Sequence, residues 1–276
     1  MNKKNIILIA LTVFSLVSCY QITEGDLYED YKPTVVIEAT INNQKPPYFV
    51  KVTYSAKPED SVNYYNIYNA KVSISTCSNK LNYLKKVEDN MYMADNIIGY
   101  PDSTYFLNIF IDGKEYKAKD KMPTPAKIYR TEIKYRTQYV PSEGNYIKLY
   151  LDKKERNVRY YKLNITKNGV LYDTYNDLIL FSDTYSKDTF EYLIPYAFKP
   201  SDTVIVDLNV ITEDVYKYFY ALKKQTTSTF SNIQAPLKNP VENITNQPLG
   251  FFQVSALSSL NIVIPDSNVY ISSTNK

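Results

Sequence analysis

Thiols, carboxylates, amines and phenols carry whatever reactive chemistry this chain has, because its 276 residues contain no histidine. Without an imidazole there is no Ser-His-Asp or Cys-His arrangement and no His-ligated zinc. Two cysteines, Cys19 and Cys77, are too few for a cysteine-only zinc site, and six scattered glycines leave no glycine-rich phosphate loop. An enzyme built from this inventory would have to run on carboxylates, lysine, tyrosine or a Ser-Lys pair. Asp177, Asp183 and Asp188 crowd the polar stretch 175–190, but their spacing is not that of a calcium loop, and the stretch reads as solvated. A carboxylate hydrolase would need two carboxyl groups roughly 5 to 9.5 Å apart, which spacing along the chain does not specify. No catalytic residue, metal site or cofactor is therefore assigned, and the expectation is a protein that is not an enzyme. Recognition chemistry remains: there are 29 tyrosines and no tryptophan. Tyr64, Tyr65 and Tyr68 sit together in the Asn/Tyr-rich stretch 63–69, which reads as a loop, and they are the ligand-binding candidates. Tyrosine offers a broad apolar face with a polar tip, and such groups on loops are free to meet a ligand. The alternative is that they pack against their own domain.

Cys19 has a different part. Lys3 and Lys4 precede an apolar run, residues 6–17, that ends in Leu16-Val17-Ser18-Cys19. This has the n-region, h-region and small residue of an export signal, and its last four residues resemble the lipobox of bacterial lipoproteins. The reading is a signal peptide over residues 1–18, lipidation at Cys19, and a lipid-anchored flexible tether over 19–32. The apolar run is too short to span a bilayer, which takes roughly 20 residues. Two or three acyl chains, at about 0.8 kcal/mol per buried methylene, would anchor stably. Glu24, Asp26, Glu29 and Asp30 make the tether acidic, read either as a surface-export signal or as a solvated linker. Lipidation leaves Cys77 without an internal disulfide partner. It ends the strand-like run from Lys71 and reads as a small buried residue, a reactive thiol being the alternative. The net charge of +3 falls to +1 once Lys3 and Lys4 leave, so nothing electrostatic argues for nucleic acid.

The elements that would position these groups are strands. Residues 34–41 and 48–54 are β-branched and aromatic runs separated by Asn42-Asn43 and Pro46-Pro47. Residues 103–111 and 114–119 flank Asp112-Gly113, and 160–167 and 170–174 flank Asn168-Gly169, both strong hairpin signals. Met122-Pro123-Thr124-Pro125-Ala126 should hold few ladder hydrogen bonds and separate two units. The predicted organisation is mostly β: an N-terminal immunoglobulin-like sandwich over 33–125, then a second β-rich, sandwich-like domain over 126–276. A motif recurs at constant offset: Tyr105-x-Leu107-Asn108-Ile109 with Gly113 and Tyr116, then Tyr161-x-Leu163-Asn164-Ile165 with Gly169 and Tyr172. It reads either as the common look of tyrosine-rich hairpins or as two related domains. One helix is expected near 213–225, with Thr212 as N-cap and Glu213 and Asp214 in its first turn. Lys223 and Lys224 fall in its last turn, and Val215, Phe219 and Leu222 form its stripe.

Taken in order, the motifs resemble a family. They are the lipobox, Pro33-Thr34-Val35-Val36-Ile37, the Tyr-x-Leu-x-Ile hairpin with Asp112-Gly113, and a strand ending in Asp152. Tyr160-Tyr161-Lys162-Leu163, Tyr216-x-Tyr218-x-Tyr220, Pro236-Leu237-x-x-Pro240, Asn243-Ile244 and Leu249-Gly250-Phe251-Phe252 follow. This pattern is similar to Bacteroidota outer-membrane lipoproteins that carry a domain of unknown function of the 4249 type, often encoded beside TonB-dependent receptors. Gln247-Pro248 stands where that pattern carries glycine. The resemblance implies an accessory role at the outer membrane, on its periplasmic or its cell-surface face, and brings no catalytic residues. The expected function is a non-enzymatic binding or accessory component alongside a TonB-dependent receptor. The alternative is a structural adhesin or envelope assembly component that uses β-sheet edges.

Overall fold

Val35, Ile37, Ala39 and Ile41 are buried, and the residues between them are not, as expected of a strand with one face in a core. In the computed structural model, which describes residues 31–57, 60–76, 81–153, 157–174, 177–186, 189–228, 240, 243–266 and 271–273, this segment is β1 (Val35–Asn42). It pairs antiparallel with β2 (Tyr48–Ser55), Ile37 opposite Val52. The first half continues through β3 (Tyr64–Asn66), β4 (Lys71–Thr76), β5 (Asn82–Tyr83), β6 (Lys85–Glu88), β7 (Met91–Ala94), β8 (Thr104–Ile111) and β9 (Lys114–Lys121). One layer runs β1-β2-β7-β6 and the other β5-β4-β8-β9, the strand order of an immunoglobulin-like sandwich.

The second half comprises β10 (Ile128–Arg136), β11 (Gly144–Asp152), β12 (Tyr160–Lys167), β13 (Val170–Tyr172), β14 (Ile179–Ser182), β15 (Thr189–Leu193) and β16 (Thr203–Ile211). After these come α1 (Glu213–Ser228), β17 (Leu249–Val263) and β18 (Ile271–Ser273). Its layers are β15-β11-β10-β18 and β13-β12-β16-β17, with β14 also on β12. Both predicted hairpin turns form. Asp112 and Gly113 have φ of 45° and 83°, and Asn168 and Gly169 have φ of 50° and 81°, the left-handed pair that a two-residue turn demands. The recurring motif nevertheless occupies different places: β8–β9 are the last two strands of their sandwich, β12–β13 the third and fourth of theirs.

One strand belongs to both halves. Residues 249–255 of β17 pair parallel with β1, and residues 256–263 pair antiparallel with β16, making a single sheet of ten strands. The Asn43 side chain extends the first ladder by accepting from Leu257 N at 2.6 Å and donating to Leu257 O at 3.2 Å. Most of the buried apolar side chains accordingly form one contiguous cluster that spans both halves, from Val35 to Ile264. The expected boundary at 125/126 lies between β9 and β10, which belong to different sheets. Residues 122–127 belong to no strand, as the prolines predict, but the segment is tied down. Met122 and Ala126 are buried, Met122 N donates to Ser103 O, and Lys127 O accepts from Asp152 N. The prolines remove donors, but the residues around them still find partners.

Some local expectations are corrected. Tyr64 and Tyr65 lie on a short strand, β3, rather than in a loop. The stretch 175–190 is not simply solvated: it contains β14 and the start of β15, and Asp183 is fully buried. Its carboxylate accepts from Arg159 N at 2.8 Å, Arg159 Nε at 3.3 Å and Tyr161 Oη at 3.2 Å, with Lys153 Nζ 3.6 Å away. Burial is tolerated because the charge is paired and hydrogen-bonded on several sides. Tyr161 in turn stacks on Phe181, centroids 4.9 Å apart, and burial drives its phenol pKa well above the ordinary range. Asp188 and Cys77 lie outside the described residues.

Helix α1 starts where expected but runs to Ser228, so Lys223 and Lys224 are not in its last turn. Lys223 Nζ donates instead to Leu178 O at 2.5 Å. Thr212 holds the N-cap position, its carbonyl accepting from Tyr216 N at 3.0 Å, and its hydroxyl donates to Asp120 Oδ1 at 3.0 Å. Val215, Tyr218 and Phe251 form a small core beneath the helix, with Phe219 and Leu222 packed at its margin.

Candidate functional site

Inward-facing Tyr161, Leu163 and Ile165 put Tyr160, Lys162 and Asn164 on the outer face of β12. Helix α1 covers this face. Tyr216 packs on Tyr160 with centroids 5.0 Å apart, and the ring of Phe219 lies 4.1 Å from Lys162 Nζ. Between the helix, β12 and the first half of β17 is a cleft of about 640 Å³. Val36, Leu222, Pro248 and Phe251 supply apolar wall, and Glu38 and Asp173 also line it.

Lys162 provides the cleft's cation. Its Nζ donates to Gln253 Oε1 at 3.3 Å. The amide is held by a buried polar row running across the sheet: Gln253 Nε2 donates to Ser255 Oγ at 3.2 Å, and Ser255 Oγ donates to Asn209 Oδ1 at 3.1 Å. Burial without a carboxylate partner pushes the Lys162 pKa down to about 8. The ammonium therefore gives up its proton more readily than that of an exposed lysine.

The floor of the cleft depends on one glycine. Gly250 has φ of +93°, and a Cβ there would sit 2.0 Å from Ile37 O. A glycine inside a strand pattern signals this kind of close backbone approach, and it was the one sequence feature that could have pointed here. Lys162 gave no such signal, since an outward lysine on a strand is ordinary. Before Leu249, Asn246 and Gln247 both take positive φ, 65° and 55°.

Asp120 joins the halves behind this site. It accepts from Val254 N at 2.7 Å, Lys121 N at 2.9 Å and the Thr212 hydroxyl, linking β9, β17 and the start of α1. Burial raises its pKa to about 6, opposed by these donors and assisted by nearby Asp214.

The structure brings Tyr64, Tyr65 and Tyr68 to one shallow depression, separate from the cleft, with Val62 beside them. All three are exposed, but each has a partner of its own. Lys51 Nζ lies 4.4 Å above the Tyr64 ring, Tyr65 donates its hydroxyl to Asp60, and Lys86 Nζ sits 5.4 Å from the Tyr68 ring. Cys19 and the tether to residue 30 lie outside the described residues. Tyr31, assigned to the tether, is docked: it donates to Ser55 Oγ at 2.5 Å and to Ala56 O at 3.0 Å. Among the described residues no helix is long and apolar enough to cross a membrane.

A family model described as "Domain of unknown function (DUF4249)" matches residues 22–260. Curated proteins give no significant match to the sequence. Among solved structures, the chain is similar to a two fibronectin type III domain segment from chicken tenascin, with 10% identity, 65% of this chain and 91% of that chain covered, and a TM-score of 0.22.

Proposed function

The chain belongs to the DUF4249 family, and from that premise we propose that it is an outer-membrane-anchored, non-enzymatic binding component working beside a TonB-dependent receptor. The observation that carries the binding reading is the cleft under α1. At about 640 Å³ it falls among small-molecule sites, which run from about 300 to 1,000 Å³ and combine apolar walls with few placed polar groups. Lys162 with its fixed Gln253 partner is such a group. The family resemblance supports the receptor. Lipidation at Cys19 would hold the folded part beside a membrane partner, so that a weak contact suffices at high effective concentration. Tyr64, Tyr65 and Tyr68 are candidates for that contact.

The adhesin alternative needs a free sheet edge. The ten-stranded sheet ends in β6, which carries exposed Lys85, Lys86 and Glu88, and in β13, only three residues long. Charge and shortness both discourage edge pairing, so the binding reading is preferred.

Extraction of the tagged full chain in mild detergent tests the proposal. A large β-barrel should come with it, and Cys19→Ala should abolish both palmitate incorporation and that association. Equal label in both proteins ends the lipoprotein reading; absence of a barrel ends the partnership; hydrolysis of a glycan or peptide by the pure protein ends the non-enzymatic reading.

A further inference from the structure

We infer that the cleft under α1 takes a carboxylate ligand with an apolar body, its anionic end on the Lys162 ammonium and its body against Phe219, Leu222 and Phe251. This rests on the reading of the cleft as the binding site and adds the class of ligand.

The argument begins with the ammonium. It has three N–H donors. Among the described residues, one reaches Gln253 Oε1, and the Phe219 ring faces the charge from another side. Gln253 cannot swing round to do more, because its own amide nitrogen is bound to Ser255. A partly buried charge in this condition gains most from an anion that accepts the remaining donors.

The other charges on the lining do not reverse this preference. Glu38 and Asp173 are exposed, and Glu38 already faces Lys51 at 3.7 Å. Water screens charges at the rim, whereas the field of Lys162 acts within apolar walls where the local dielectric is low. The two rim carboxylates do disfavour a dianion such as a phosphate monoester. One cation at depth and two anions outside select a monoanion, and the apolar walls select the part of the ligand behind it.

Three probes with one body and different head groups test this. Hexanoate, hexanamide and hexylammonium are titrated by calorimetry into the full-length protein. Hexanoate is expected to bind at least about tenfold tighter than hexanamide, and hexylammonium weakest. Lys162→Met should bring hexanoate and hexanamide within roughly twofold of each other, while Lys162→Arg keeps a preference for the acid. Circular dichroism checks that both variants retain the β spectrum, and the wild-type comparison does not depend on either variant folding. Hexanamide or hexylammonium binding as tightly as hexanoate, a preference that survives Lys162→Met, or no binding of any probe would each overturn the inference. A protein that retains its barrel partner but does not prefer the acid defeats this inference alone. One that prefers hexanoate through Lys162 but has no barrel partner defeats only the receptor proposal.

Discussion

Gly250→Ala should destabilise the protein far more than the loss of one glycine's freedom. The residue has φ of +93°, and the new Cβ would lie 2.0 Å from Ile37 O and 2.8 Å from Ile37 C. Left-handed backbone on a non-glycine residue costs about 1–2 kcal/mol. The clash cannot be relieved by rotating a side chain, because the obstacle is backbone. Restoring ordinary contact requires β1 and β17 to part by more than 1 Å near the start of their shared ladder. Losing two ladder hydrogen bonds there costs about 2 kcal/mol more, for a total of about 3–4 kcal/mol. Gly113→Ala is the control. Its φ is +83°, but nothing lies within 4 Å of the added Cβ, so it should pay only the backbone term of about 1–2 kcal/mol. Urea unfolding followed by tyrosine fluorescence measures both. If the two variants lose the same stability to within about 0.5 kcal/mol, the close approach of β1 to Gly250 is not a constraint on the fold and the argument fails.

Three further outcomes are expected. Lys162 has its folded-state pKa lowered by burial to about 8 from 10.5, so the unfolded chain binds more protons between these values and stability should rise with pH across that window. The total is up to about 3 kcal/mol, and the difference between wild type and Lys162→Met in pH-dependent urea midpoints should show it. Asp120 has the opposite sign: burial raises its pKa from 3.8 to about 6. The folded state then holds the extra proton, and stability should fall as pH rises from about 4 to about 6, a slope that Asp120→Asn should remove. Asp183→Ala removes the carboxylate shared by buried Arg159 and Lys153, leaving Arg159 only the longer contact with Asp152; a loss of about 3 kcal/mol is expected, read as a large drop in unfolding midpoint.

Sequence patterning made local structure legible and long-range pairing obscure. Alternation identified β1 and β2, and Asp112-Gly113 and Asn168-Gly169 located their hairpins, because in each the determining contacts lie within a few residues. The start of α1 was visible through Glu213 and Asp214, but its end was not, since no glycine stops it and the polar residues to Ser228 read as loop. Apart from Gly250, the pairing of β1 with β17 leaves no local trace: an edge filled by a distant strand has the same alternation as one left open. The polarity of the site misled in the same way. Asp183 reads as solvated and Lys162 as surface until the strands and helix that cover them are placed. Tyr64, Tyr65 and Tyr68 are exposed, but nothing in their spacing announces Lys51, Asp60 and Lys86 as their companions.

The sharing of β17 also puts a clock on folding. Val36 must wait for Leu249, more than 200 residues later in the chain. In the finished sheet, among the described residues, no other strand lies on that side of β1. Until then the first sandwich has a β-branched strand with an open backbone edge, a template for pairing with another molecule. Closing so long a loop is also entropically slow. A chain cut short after β16 would therefore keep that edge unpaired: only a molecule that carries Phe251 and Phe252 can seal β1.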